Sequence, residues 1–112
     1  MSDPNQATTQ TRNAAGLDRL DPVLQHRSRL GACVLLSTVD ALSFARLKTL
    51  LSETDGNLGA QLRKLEDAGY LAVRKEFLDR KPVTWYSLTP KATSALRAHL
   101  KAMESLIKTA QL

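Results

Sequence analysis

Asn57, Gln61, Arg63 and Lys64 stand close together in a segment whose leucines, Leu58, Leu62 and Leu65, recur at helical spacing. At 100° per residue the leucines share one side of a helix. Gly56, Asn57, Ala60, Arg63, Lys64 and Asp67 then fall on the opposite arc, with Gln61 at its edge. Side-chain amides present a donor beside an acceptor, the pattern that matches an adenine edge. Arginine and lysine neutralise phosphate oxygens, which positions a protein on a nucleic acid without reading its sequence. A small residue such as Ala60 permits close approach. Gly56 leaves the N–H groups of a helix start open to an anion. The same arc also suits a solvated helix face, so its meaning depends on what surrounds it.

A supporting set flanks this segment. Ser43, Arg46 and Lys48 precede it, and Arg74, Lys75, Arg80 and Lys81 follow it. Over the whole chain, 16 Lys+Arg against 11 Asp+Glu give +5 at neutral pH. Such a balance favours phosphate partners without dictating them. Residues 55–81 carry six positive and five negative side chains, a net of only +1. Other chemistries find less support. No Ser/His/Asp set, paired carboxylate or phosphate-binding loop stands out, so the chain is not read as an enzyme. A single cysteine, Cys33, excludes an internal disulfide and a multi-cysteine zinc site. The two histidines, His26 and His99, do not make a metal centre. No metal or cofactor is expected. Cys33 lies among apolar neighbours, as a small buried hydrophobe does. No apolar run approaches the roughly 18 residues of a bilayer span. The polar start, MSDPNQATTQTRNAAG, is not a secretory signal, so a cytoplasmic location is the default.

Something must position these groups. The chain has 112 residues, 43% of them hydrophobic, enough for one small domain and too few for two cores. Residues 1–20 are polar and poor in large apolar side chains, so a flexible N-terminal arm is expected there. Asp21-Pro22 is a helix start, a capping carboxylate followed by proline at the first helical position. Val23, Leu24, Leu30, Val34 and Leu35 carry that helix to about Ser37. Gly31 inside it marks either a close crossing or a break. Ser43 caps a second, short helix whose Phe44, Leu47, Leu50 and Leu51 share a face. Thr54 or Asp55 caps a third, from about Gly56 to Ala68, and Gly69 ends it in a left-handed conformation. The period then changes to two. Tyr70–Lys75 and Val83–Leu88 alternate as antiparallel strands, joined through Glu76–Pro82 as a basic tip. Thr89-Pro90 repeats the start signal. A last helix runs to about Lys108, with Ala92, Leu96, Leu100, Met103, Leu106 and Ile107 inward.

The expected fold is therefore α+β and mostly α: helix, helix-turn-helix, two-stranded β-wing, C-terminal helix. Four pieces in this order carry a family resemblance: Leu42-Ser43-Phe44-Ala45-Arg46-Leu47-Lys48; Thr54-Asp55-Gly56-Asn57-Leu58; Leu62-Arg63-Lys64-Leu65-Glu66-Asp67-Ala68-Gly69-Tyr70-Leu71; and Arg80-Lys81-Pro82-Val83-Thr84-Trp85-Tyr86-Ser87-Leu88-Thr89. Across about residues 26–100 the chain resembles small stand-alone winged-helix transcriptional regulators, relatives of the MarR and arsenic-repressor families. The resemblance implies a dimeric DNA-binding protein, with a winged helix-turn-helix domain at 21–90 and a dimerisation helix at 91–112. The third helix would then enter the major groove of double-stranded DNA, and the wing would lie on the backbone or minor groove. Ser43, Arg46, Lys48, Gly56, Asn57, Ala60, Gln61, Arg63, Lys64, Arg74, Lys75, Arg80 and Lys81 are the expected DNA-binding set.

Ala92, Leu96, His99, Met103 and Leu106 follow the 4-3-4-3 spacing of a coiled-coil seam. Leu100 and Ile107 widen it, and these seven are the expected homodimer interface. The bland outcome is a helix folded back on its own domain. The competing function is a winged-helix module that binds protein through its wing or third helix, which the near-neutral charge of that face would suit. The target site, the sign of regulation, any small-molecule effector and a role for Cys33 oxidation stay open.

Overall fold

The structure, a computed structural model, describes residues 16–111. Its elements are α1 (Arg27–Leu36), β1 (Leu42–Ser43), α2 (Phe44–Leu51), α3 (Asp55–Asp67), β2 (Leu71–Leu78), β3 (Lys81–Leu88) and α4 (Pro90–Thr109). Short 3-10 turns at Leu17–Arg19 and Pro22–Leu24 precede them. Of the arm expected over residues 1–20, residues 1–15 lie outside the described residues, and Leu17–Arg19 packs against α4.

The domain closes around α1. The inward residues of this helix are mostly small: Ser28, Ala32 and Cys33 are buried beside Leu36. A Cβ on Gly31 would lie 2.8 Å from Leu51 Cδ2, so this glycine marks a close crossing with α2. Small side chains let α2, α3 and α4 approach one axis. Leu24, Leu47, Leu58, Leu62 and Leu65 fill the space between them.

The first helix is not continuous as the apolar spacing suggests. Pro22–Leu24 makes one 3-10 turn under the Asp21 cap, His26 is extended, and α1 starts at Arg27. The His26 Nδ1 accepts from the Ser28 N–H at 3.1 Å and begins the helix afresh. Histidine is not among the preferred caps, so this break leaves no sign in the residue types.

The wing is longer and tighter than expected. Residues 76–82 are not a loop: β2 and β3 pair from Leu71–Leu88 out to Leu78–Lys81, and Asp79-Arg80 is the whole turn. Both turn residues have positive φ, 51° and 66°, the twist that a two-residue hairpin needs. The pair closing such a turn exchanges both hydrogen bonds. The next pair, Phe77–Pro82, exchanges none, so the missing N–H of Pro82 falls at the sheet edge. The sheet also has a third strand, β1, which pairs Leu42 with Tyr86 and Ser43 with Trp85. Ser43 both ends β1 and caps α2, its hydroxyl accepting from the Arg46 N–H at 3.1 Å.

At its far end α3 closes as expected. Gly69 has φ 80°, and the N–H groups of Gly69 and Tyr70 donate to Glu66 and Leu65 carbonyls, both at 2.9 Å. On α4, Leu100, Met103 and Ile107 do not point inward; they are 44%, 36% and 52% exposed. The inward face is Ala92, Leu96, His99 and Ala102. The helix is apolar on two sides, and the core has room for one.

Asp21 ties three parts together. Its carboxylate accepts from the Val23 N–H at 2.9 Å and from the Tyr70 hydroxyl. Its own N–H donates to Nδ1 of the buried His99 at 2.9 Å. Burial, and then the bond to Asp21, push the Tyr70 hydroxyl up to about 12 from its ordinary 10.0. Between those values the unfolded chain releases a proton that the folded chain keeps. This contribution is fully present below pH 10 and is lost as pH rises through about 12. Tyr70→Phe should cost about 1–3 kcal/mol at neutral pH, because a carboxylate oxygen loses its donor. The same change should make the alkaline decline shallower. Urea unfolding at neutral and alkaline pH reads both effects, and an unchanged alkaline slope would remove Tyr70 from this role.

Candidate nucleic-acid interface

α3 turns Leu58, Leu62 and Leu65 into the core and leaves Gly56, Asn57, Ala60, Arg63 and Lys64 exposed. Thr54 rather than Asp55 is its cap, the hydroxyl accepting from the Asn57 N–H at 3.2 Å. The Asn57 side chain makes no hydrogen bond among the described residues. The turn between α2 and α3 is pinned to α1 by polar groups. The buried Ser28 hydroxyl donates to the Glu53 carboxylate, and Arg27 stands 3.7 Å from the same carboxylate. Ser52 takes the left-handed conformation at φ 53° to let the chain reverse there.

Several expected contacts are partly engaged within the chain. Gln61 is half-buried, and its Oε1 accepts from Arg29 Nη1 at 2.6 Å. Arg29 Nε donates in turn to the Val23 carbonyl at 2.6 Å. That leaves the NH2 group of Gln61 as the hydrogen-bonding half for an outside partner. Lys48 Nζ lies 2.9 Å from the Asp55 carboxylate. This pair is open to solvent and therefore weak, so a phosphate can compete for the lysine. Asp55 itself favours the start of α3 through the helix dipole and opposes an anion at the same place. Arg46 is exposed, while the Ser43 hydroxyl is occupied by its cap.

Alternation along the strands divides the basic wing residues. Lys75 lies on the face toward α3, with Val73, Thr84 and Tyr86. Together with Gly59 and Arg63 they line a cleft of about 390 Å³ between α3 and the wing. Glu66 and Asp67 line it too, so its charge is nearly balanced. Arg74 lies on the other face. It pairs with Glu76 and sits 5.9 Å over the Trp85 ring, and the Trp85 indole N–H donates to Glu76 Oε1 at 2.7 Å. Arg80 is in the turn and Lys81 follows it, both exposed. Of the expected dimer residues, Ala92, Leu96 and His99 are buried in the chain's own core, and Leu106 is half-buried.

Cys33 is fully buried, and burial, with the Asp21 charge adding to it, pushes its thiol up to about 11. Thiolate is then scarce at neutral pH, which leaves Cys33 a packing residue rather than a reactive one.

An exposed helix with a free polar arc, a pinned turn before it and a long hairpin after it together make a winged helix-turn-helix. Residues 28–107 match the family described as winged helix DNA-binding domain. The chain belongs to that family. An uncharacterized protein of Methanocaldococcus jannaschii is 30% identical over 80 residues, covering 71% of this chain and 87% of that one. The solved structure of a transcriptional regulator homologue from Pyrococcus horikoshii is similar, with TM-score 0.75 and 27% identity over 80% of this chain and 89% of that one. The fold is also that of a MarR family transcriptional regulator from Streptomyces coelicolor, solved in complex with DNA. There the TM-score is 0.59 and the identity 19%, over 98% of this chain and 80% of that one. Among the described residues no helix is long and apolar enough to cross a membrane.

In winged-helix terms α2 and α3 are the helix-turn-helix, β2 and β3 the wing, and the family match continues into α4. One residue of α3 is not singled out by the spacing of its leucines. Gly59 sits mid-helix, where glycine is unfavourable, yet a Cβ there or on Gly56 would meet nothing within 4 Å. Internal packing does not require either glycine. The signal is in the sequence, since a helix-interior glycine beside Ala60 invites the question of what approaches it. Gly59→Ala should raise stability by about 0.5–1 kcal/mol. A fall in the urea midpoint would instead mean that the helix needs the glycine internally.

Proposed function

We propose that this protein is a sequence-specific transcriptional regulator that binds double-stranded DNA as a homodimer. The observation that carries this reading is the exposed first half of α3, with Asn57 and Ala60 open to solvent beside a basic wing. Asn57 reads a base edge in the major groove, and Ala60, Gly56 and Gly59 let the helix approach closely. Arg46, Arg63 and Lys64, with Lys48 once it leaves Asp55, contact phosphates. Lys75, Arg80 and Lys81 serve the wing. Work in the cytoplasm follows from this role. A second reading, a module that binds protein through the same face, is favoured by Asp55, Glu66 and Asp67, which dilute the positive charge there. Selection of duplexes from a random pool, then a salt titration on the winner, separates the two, because phosphate contacts release counterions and give a steep slope. Asn57→Ala should cost about 1–3 kcal/mol of discrimination at one position of the selected site while leaving thermal unfolding unchanged. Equal affinity of mutant and parent for that site would take Asn57 out of the reading set.

Self-association uses the outer stripe of α4. Leu100, Met103 and Ile107 are apolar and exposed in the single chain. Met103 and Leu106 also line a groove of about 310 Å³ with Leu20, Leu24 and Leu30, so the N-terminal turns and α1 extend the surface. Ala92, Leu96 and His99 support the interface from within their own core. Two recognition helices would then meet half-sites about 34–36 Å apart. Met103→Glu should convert a dimeric mass in light scattering to a monomeric one with helical circular dichroism preserved. A parent protein that remains monomeric as concentration rises would rule out the dimer.

A further inference from the structure

Phe77, near the end of β2, is the most exposed large apolar side chain among those described, at 76%. A lone exposed apolar residue on a protein surface needs no explanation. Three observations set this one apart.

The first is where it stands. From Val73, the last residue of β2 that packs on the core, to the turn at Asp79 the wing runs about 20 Å, and Phe77 stands four residues out along it. Alternation puts Phe77 on the same face as Val73 and Lys75, the face turned toward α3. The second is how firmly it is held. Pro82 is directly opposite Phe77, so a rigid apolar ring is the cross-strand neighbour of the phenyl group. Asp79-Arg80 closes the hairpin with no slack. The third is the charge around it. Lys75, Arg80 and Lys81 stand near the pair against Asp79, while Arg74 lies on the other face and neutralises Glu76 there. An apolar side chain with an excess of cations beside it suits a polyanion with an apolar interior.

From these we infer that Phe77, with Pro82 opposite it, is an apolar wedge that enters the minor groove of duplex DNA and partly unstacks one base step. The inference rests on the DNA-binding reading above and adds a specificity element to it. Apolar side chains at minor-groove contacts insert between base pairs and bend the duplex away from themselves. The energy of unstacking depends on the step. Pyrimidine–purine steps yield most readily, so the wedge selects a flexible step at a fixed distance from the bases that α3 touches. Arg80 and Lys81 hold the flanking phosphates, while the wedge itself releases no counterions.

The test uses the full chain and a duplex selected from a random pool, with 2-aminopurine placed in turn at each step flanking the α3 site. Unstacking raises the fluorescence of this base. The parent protein should brighten it at one step. Phe77→Ala should lose that signal and about tenfold in affinity, the scale of burying one phenyl group less the cost of unstacking, with the salt slope unchanged. Phe77→Leu should recover part of both. Arg80 and Lys81 changed together to Ala should instead flatten the salt slope, by up to about 0.9 for each phosphate lost. Tight duplex binding by Phe77→Ala with the parent's fluorescence pattern would overturn the wedge and leave the DNA reading intact. A parent that binds no duplex would overturn both. A Phe77→Ala variant changed in oligomeric mass but not in DNA binding would assign the tip to contacts between copies and overturn the wedge.

Discussion

A half-buried carboxylate must find partners or the fold carries its desolvation uncompensated. Asp21 meets that demand with partners from distant parts of the chain. Its oxygens hold the first turn through Val23 and the start of the sheet through Tyr70, and its backbone N–H reaches His99 on α4. Tyr70 comes directly after the Gly69 turn that ends α3. The end of α3, the sheet and the last helix are therefore referred to one residue that precedes all of them. Unlike the leucine core around it, this junction is directional. Leucines fix how closely the helices pack, and hydrogen bonds at Asp21 fix their rotation and register.

The same division holds around α3. Leu58, Leu62 and Leu65 seat α3. Polar pairs then set its attitude: Arg29 with Gln61, and Ser28 with Glu53. Ser28 and Arg29 belong to α1 and Glu53 to the turn before α3, so the helix that presents Asn57 is steadied from its buried side and at its N-terminal end. The exposed arc takes no part in this support, which is what the proposed reading role needs. Gln61 is divided between both tasks, its oxygen turned inward and its NH2 group still available.

Much of this was legible in residue types. Ser43 and Thr54 cap the helices they precede, Gly69 takes the conformation that only glycine adopts cheaply, and the three leucines of α3 are buried. What was not legible depends on pairing across long separations or on residues acting outside their usual roles. β1 is two residues long, and no periodicity exists at that length. The cap at His26 hides the break before α1. The wing turn puts Arg80 where such a turn normally has glycine, so the residue types do not mark how far the strands run. On α4 the apolar spacing was correct, but a sequence does not tell which of two apolar sides meets its own core. His99 belongs to the inner side because Asp21 is there to bond it, a partner 78 residues away in sequence.

The arrangement on the outer wing face has an experimental consequence. Trp85 is the only tryptophan in the chain, and its indole is held between the Glu76 carboxylate and the Arg74 guanidinium. Both neighbours are charged, and indole emission responds strongly to nearby charge. The molecule thus carries one intrinsic optical reporter, on the face of the wing turned away from α3. Any event that pulls Arg74 toward a phosphate, or flexes the hairpin, changes the colour or brightness of that single emitter. Movements of the wing can therefore be followed in the unlabelled protein, separately from whatever happens at the recognition helix or along α4.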